Sequence, residues 1–269
     1  MEIPVQRWYE AIYQRKSVRN YTVQTPSAEA LQGLQEVADQ MRDACPAARA
    51  VVVHDAPKAM FKGILGSYGG VQGAPACVLF IADTEHRHHQ MQLGYLGEAV
   101  ILEATALGLG TCWIGGFFSA NLAKQLTPIR PEERIIAVTP LGYPAIVRWD
   151  EKLLKSAARS NTRKPLAEIC QPEPEQWPDW GRSGLAAART APSALNRQPW
   201  RFTLQDGTVS IAPNKALETG VLTRRLDCGI AMLHFQVGAA HAGAYGTWVW
   251  EDEGPAIGTF QLHSPPPRP

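Results

Sequence analysis

Three short segments hold residues whose types and spacing could do chemistry. The first is RKSVR, where Arg15, Lys16 and Arg19 put three positive charges within five residues and Ser17 adds a hydroxyl. A guanidinium is a rigid fork of donors that matches phosphate oxygens. Near a helix end and in an extended turn, Arg15, Ser17 and Arg19 can converge on one anion. Taken alone, a basic pentapeptide reads more readily as a solvated face.

The second segment is TAPSALNRQPW, residues 190–200, in which Pro192 and Pro199 stiffen the chain. Ser193, Asn196 and Gln198 offer short polar groups and amides. Rigid backbone bearing amides suits the edge of a heteroaromatic ring, where donors and acceptors alternate. A helix-to-strand loop that feeds Trp200 into a core has the same composition. The third segment is GLGTCWIGGF, residues 108–117, where Gly115 and Gly116 follow a β-type run. Without side chains, their N–H groups could approach a flat ligand closely. A plain strand-to-helix turn accounts for the pattern equally well.

Other candidates carry less. His86, His88 and His89 form a histidine-rich turn with no acidic or cysteine partner at ligand spacing, so a solvated loop is expected and no metal. Cys112 lies beside the third segment and reads as a packing residue. Trp177 and Trp180 read as core packing, or as a clamp of one half of the chain on the other, or as a cover over the site. No Ser-His-Asp or Cys-His set is evident.

The elements that must position these segments follow from periodicity. Residues 5–15 form an amphipathic helix, with Trp8 and Ile12, and Tyr9 and Tyr13, one turn apart. A second helix runs from the N-cap Ser27 to about Met41. Two β runs at about 49–54 and 76–82 precede a long apolar helix over about 90–107, which stops at Gly108 and Gly110. A helix capped by Ser119 and the β run RIIAVTPLGY follow. Pro165, Pro172, Pro174 and Pro178 mark an extended connector. A helix at about 179–189 leads to a hairpin around Asp206-Gly207, then a second long apolar helix at about 225–243 and the β runs TWVWE and IGTFQL. The tail SPPPRP, including residues 265–269, reads as disordered or surface-lying.

The two long helices have similar surroundings. LGYLGEAVILEATALGLGTCWIG and LDCGIAMLHFQVGAAHAGAYGTWVW each pass from a small-residue turn through an apolar helix to glycine punctuation, Thr and Trp. The pattern suggests two related halves, about 1–165 and 175–264. Two buried helices followed by strands would also arise in any α/β protein.

Composition sets the boundaries. With 269 residues, 45 % of them hydrophobic, the chain can bury a substantial core. A formal net charge of +1 gives no global field toward nucleic acid or a membrane surface. No apolar run reaches the roughly 18 residues of a membrane span, and the N-terminus lacks the pattern of a secretion signal. Five scattered cysteines without a CxxC pair argue against a disulfide framework, so a cytoplasmic location is expected.

RKSVR, APSALNRQPWRF, the long helix running into GLGTCWIGGF, LGYP (Leu141–Pro144) and NTRKPLAEI (Asn161–Ile169) together resemble the flavin-dependent nitroreductase family. They are most similar to its single-chain branch, in which the two halves of the usual homodimer are fused. The family normally carries both motifs in one half-chain. Here RKSVR is followed by MRDACPAARAVVV, which lacks the APS motif, and the intact APS motif has no RxSxR before it.

The resemblance implies an α+β fold: a central, mostly antiparallel sheet flanked by helices, in two pseudo-symmetric halves that form an intramolecular pseudo-dimer. It implies one surviving FMN site per monomeric chain, reduced by NADH or NADPH and oxidised by a small electrophile such as a nitroaromatic or quinone. Arg15, Ser17 and Arg19, with Lys16 among them, would hold the phosphate and ribityl chain, joined by Arg163. Pro192, Ser193, Asn196 and Gln198 would face the ring and chain, with Trp113, Ile114, Gly115 and Gly116 along the ring. No side chain would act as a general base. Gly115 stands where relatives often have glutamate and Asn161 where they often have lysine. A degenerate flavin-binding protein without turnover, and a non-flavin small-molecule binding module, are the alternative readings.

Overall fold

The computed structural model describes residues 2–61, 70–116, 118–145, 162–214 and 224–263. Asn161 and the tail 265–269 lie outside them. The chain divides into two compact units, one of Gln14–Thr162 and one of Glu2–Tyr13 with Arg163–Pro269. Helix α1 (Val5–Gln14), expected with the first half, therefore groups up to Tyr13 with the second.

The first unit starts with α2 (Ala28–Gln40), whose N-cap Ser27 accepts the Ala30 N–H at 3.2 Å. That bond satisfies one of the donors a helix start leaves open. Strands β1 (Ala48–Val53) and β2 (Ala76–Asp83) follow, then α3 (His89–Ala106), β3 (Gly110–Thr111), the short α4 (Ala120–Lys124) and β4 (Glu133–Gly142). The sheet has the order β1-β2-β4-β3 and is antiparallel throughout. Strand β2 lies between β1 and β4, so ACVLFIA is buried along its length; continuous apolar runs of this kind suit strands covered on both faces. Helix α3 is buried from Met91 to Ala104, as expected of a helix apolar all round.

The second unit adds β5 (Cys170–Gln171), α5 (Asp179–Arg189), β6 (Trp200–Gln205), β7 (Thr208–Pro213), α6 (Arg224–His241), β8 (Gly246–Trp250) and β9 (Gly258–Leu262). Its sheet runs β5-β6-β7-β9-β8, antiparallel except for the β5–β6 pair. The proline-rich connector thus contributes an edge strand, too short for periodicity to reveal. The hairpin turn has φ of 51° at Asp206 and 76° at Gly207, the sign pair of a two-residue primed turn. Helices α5 and α6 approach closely. A Cβ on Gly238 would lie 2.6 Å from the Ser183 carbonyl oxygen, and Ser183 Oγ donates to the Gly238 carbonyl at 2.7 Å. Phe202 stacks on Phe235, and Trp177, Trp180, Trp248 and Phe260 close around it, so both connector tryptophans serve core packing. Tyr9 of α1 stacks on His241 at the end of α6, ring centroids 3.6 Å apart.

The units share a topology. In each, a helix leads into an antiparallel strand pair, an 18-residue buried helix follows, and the last two strands enter in reversed spatial order: β1-β2-β4-β3 and β6-β7-β9-β8. No described helix is long and apolar enough to cross a membrane.

Candidate functional site

In the first unit, two of the three segments lie side by side. The Val18 N–H donates to the Thr111 carbonyl at 2.8 Å, and Ser17 bridges Thr111 in parallel sense. Gly110 permits this approach, since a Cβ there would stand 2.8 Å from Val18. On the other side the Gln72 N–H donates to the Arg19 carbonyl at 2.8 Å. RKSVR is therefore held by its main chain, which leaves its side chains for other work. Lys16 and Ser17 are exposed, Arg19 is half-buried, and the Arg15 side chain is buried.

The strand end beyond Thr111 is fixed from β4. The Cys112 N–H donates to Thr139 Oγ1 at 2.9 Å, and Ile114 exchanges both main-chain bonds with Val138. The Ile114 side chain packs with Cys77, Leu79 and Val138. Its N–H and side chain are thus committed to the fold, and its part is to anchor the strand end. Gly116, at φ +98°, is exposed, and a Cβ there would meet nothing within 4 Å. Trp113 packs against Phe80 with the rings tilted by 31° and donates its indole N–H to Glu98 Oε2 at 2.7 Å.

In the second unit, TAPSALNRQPW is a knotted loop. Leu195, Asn196 and Gln198 all sit in the left-handed region, at φ 56°, 55° and 48°. Each such non-glycine residue costs about 1–2 kcal/mol, so its surroundings must over-determine it. They do so through amides. Ser193 Oγ accepts the Gln198 N–H at 2.9 Å, and Gln198 Oε1 accepts the Lys164 N–H at 2.8 Å. Asn196 Oδ1 accepts from Arg163 Nη1 at 3.3 Å and from Gln198 Nε2 at 3.2 Å. Two donors on that oxygen fix the orientation of the Asn196 amide, so that its nitrogen end is the one turned away from them. Arg163 also donates to the Thr190 carbonyl at 3.2 Å. Pro192 is half-buried just before Ser193.

Three supporting residues escaped the sequence reading. Lys164 Nζ donates to the Gln198 carbonyl at 3.1 Å, and burial, with Arg201 nearby, pushes its pKa down. Asp227, at the start of α6, accepts the Ala194 N–H at 3.0 Å. Burial pushes its carboxyl up to about 7, against the Ala194 N–H, Arg197 and Arg224, which favour the charged form. Glu98 is the third. A signal existed for Glu98, which sits in the apolar middle of a long helix, where a charge needs a reason. The histidine turn precedes and starts α3, and among the described residues no group of three or more His, Cys, Asp or Glu could hold a metal.

The α+β architecture and these segments define a nitroreductase-like protein. The family described as "Putative TM nitroreductase" matches residues 7–239, and the chain belongs to it; it is an oxidoreductase of the nitroreductase class. A structure described as a putative nitroreductase from Thermotoga maritima is similar over 94 % of this chain and 92 % of its own, at 21 % identity and a TM-score of 0.57. A nitroreductase family protein from Clostridium difficile 630 matches 61 % of this chain and 97 % of its own, at 21 % identity and a TM-score of 0.46. A nitroreductase with bound FMN from Desulfitobacterium hafniense matches 53 % and 91 %, at 20 % identity and a TM-score of 0.44. No curated protein matches the chain.

Proposed function

We propose that the chain is an FMN-dependent oxidoreductase that takes electrons from NADH or NADPH and passes them to a small electrophilic acceptor such as a nitroaromatic or a quinone. The observation that carries this reading is the main-chain pairing of RKSVR with the TCWIGG strand end, which presents cations beside a glycine-edged platform. Family membership supports it.

The residues present suit the cofactor. The space beside Gly116 is open to a flat ligand, and Lys16 and Ser17 are exposed on the segment that pairs with the strand end. Lys16, Ser17 and Arg19 would bind the phosphate and ribityl chain. Pro192, Ser193, Asn196 and Gln198 would orient the ring, the fixed Asn196 amide offering its N–H donors; Arg163 holds that amide in place. Trp113, Gly115 and Gly116 would form the ring platform, anchored by Ile114. When bound, FMN supplies the redox chemistry. The protein's own part is to hold the ring, place cations and N–H donors near developing negative charge, and keep an apolar face for donor and acceptor.

Each chain has one RKSVR and one APSALNRQPW, so one FMN per monomeric, cytoplasmic chain is expected. The full chain, purified and titrated with FMN, should bind one equivalent and turn yellow. NADH or NADPH should bleach it anaerobically, and a nitroaromatic or quinone should restore the colour. FMN binding without bleaching favours a degenerate flavoprotein, and no FMN binding overturns the flavin reading. Arg19→Ala and Asn196→Ala should each weaken FMN binding; if neither does, the assignment of residues is wrong.

A further inference from the structure

A single carboxylate ties two of the candidate segments together. Glu98 is fully buried in the middle of α3, where an acid needs partners. It has one on each segment. The Trp113 indole donates to Oε2 at 2.7 Å, and Arg15 Nε stands 3.9 Å from Oε1, with the two ionic side chains 8 % and 0 % exposed. At 3.9 Å the Arg15 contact is an ion pair and not a hydrogen bond. Gly97 makes the room, because a Cβ there would come 2.4 Å from the Trp113 ring. Phe80 backs that ring at 4.4 Å between centroids.

A guanidinium this buried, facing a carboxylate, is already neutralised. A phosphate dianion brought to it would meet the charge of Glu98 as well. Lys16, Ser17 and Arg19 reach solvent on the same segment and have no such burial. We propose that Glu98 is a positioning residue of the flavin site and Arg15 its partner: together they set the Trp113 indole at the strand end, and Arg15 does not bind the phosphate. This rests on the flavin reading above.

The test compares FMN with riboflavin, which has the same ring and no phosphate. Full-length chain freed of flavin is titrated with each, using wild type, Arg15→Met, Glu98→Gln, Glu98→Leu, the Arg15→Met/Glu98→Leu double variant, and Arg19→Ala. Arg15→Met and Glu98→Leu should weaken both ligands by the same factor, about tenfold. Glu98→Gln should weaken both by only about threefold, because its amide oxygen still accepts from Trp113. The double variant should be no weaker than the weaker single one, since the pair acts as a unit. Arg19→Ala should weaken FMN alone. Should Glu98→Leu fail to fold, Glu98→Gln and Arg15→Met carry the comparison. Loss of FMN but not riboflavin in Arg15→Met overturns the proposal, as do Glu98 variants that leave both affinities unchanged; the flavin reading survives either result. A wild-type chain that binds neither flavin overturns both.

Discussion

Asp227 Oδ1 accepts the Ala194 N–H at 3.0 Å, while its second oxygen is buried with no hydrogen-bond partner among the described residues. The start of α6 thus holds the left-handed turn at Leu195 and Asn196 through one carboxyl. A raised native pKa of about 7, against an ordinary 3.8, means that the folded chain binds more protons than the unfolded one between those values. This group's contribution is therefore complete below about pH 4 and is lost as pH rises through 7. Thermal unfolding from pH 5 to 8 should show a falling component that Asp227→Asn removes. An unchanged slope in the variant would show that Asp227 does not titrate there.

Glu133 has the opposite sign. The Arg49 fork, with the Arg130 N–H, draws its pKa down to about 2 from 4.5, against the effect of its own burial. Its stabilisation is present above pH 4.5 and is lost as pH falls through 2. Glu133→Gln should cost about 1–3 kcal/mol at neutral pH, discounted from the fully buried case because Arg49 and Arg130 reach solvent. Urea denaturation at pH 7 and pH 3 measures both parts.

Gly238→Ala should destabilise the second unit by about 1–3 kcal/mol, although alanine is the better helix former. The added Cβ would meet the Ser183 carbonyl at 2.6 Å, and backbone yields less readily than a side chain. Chemical denaturation would detect the loss, and an unchanged midpoint would mean that α5 and α6 can separate at little cost.

Leu195→Gly should do the reverse. Leu195 is 66 % exposed at φ 56°, so the substitution removes little packing and relieves left-handed strain. After the entropic cost of glycine, a gain of about 0.5–1 kcal/mol is expected. A lowered melting temperature would show that the leucine makes a contact worth more than the strain.

Much of the fold was legible locally. The caps Ser27 and Ser119 stand where the sequence places them, each accepting an N–H from the first turn of its helix. The Asp206-Gly207 turn joins the two β runs expected on either side of it, with Gln205 opposite Thr208. Elements with little periodicity were not legible: β5 has only two residues, within a connector that its prolines mark as extended. The site was legible as segments. Ser193, Asn196 and Gln198 were named from their types, but nothing in those types foretold that three residues of the loop would be left-handed. Ile114 was named for the ring, yet its alternation along the strand turns it into the core.

RKSVR and TAPSALNRQPW, with their charges, amides and prolines, follow from the sequence alone, as do the two long apolar helices and the pattern of a repeat. These are local properties, fixed by residue type and by neighbours a turn or a pleat away. Only the tertiary structure laid RKSVR against the strand after α3, grouped α1 with the second unit, and brought Arg15 and Trp113 to one carboxylate. Those relations join residues scores of positions apart. They are decided by burial: a charge in an apolar helix must find a partner wherever the folded chain brings one, and Glu98 found Arg15 and Trp113.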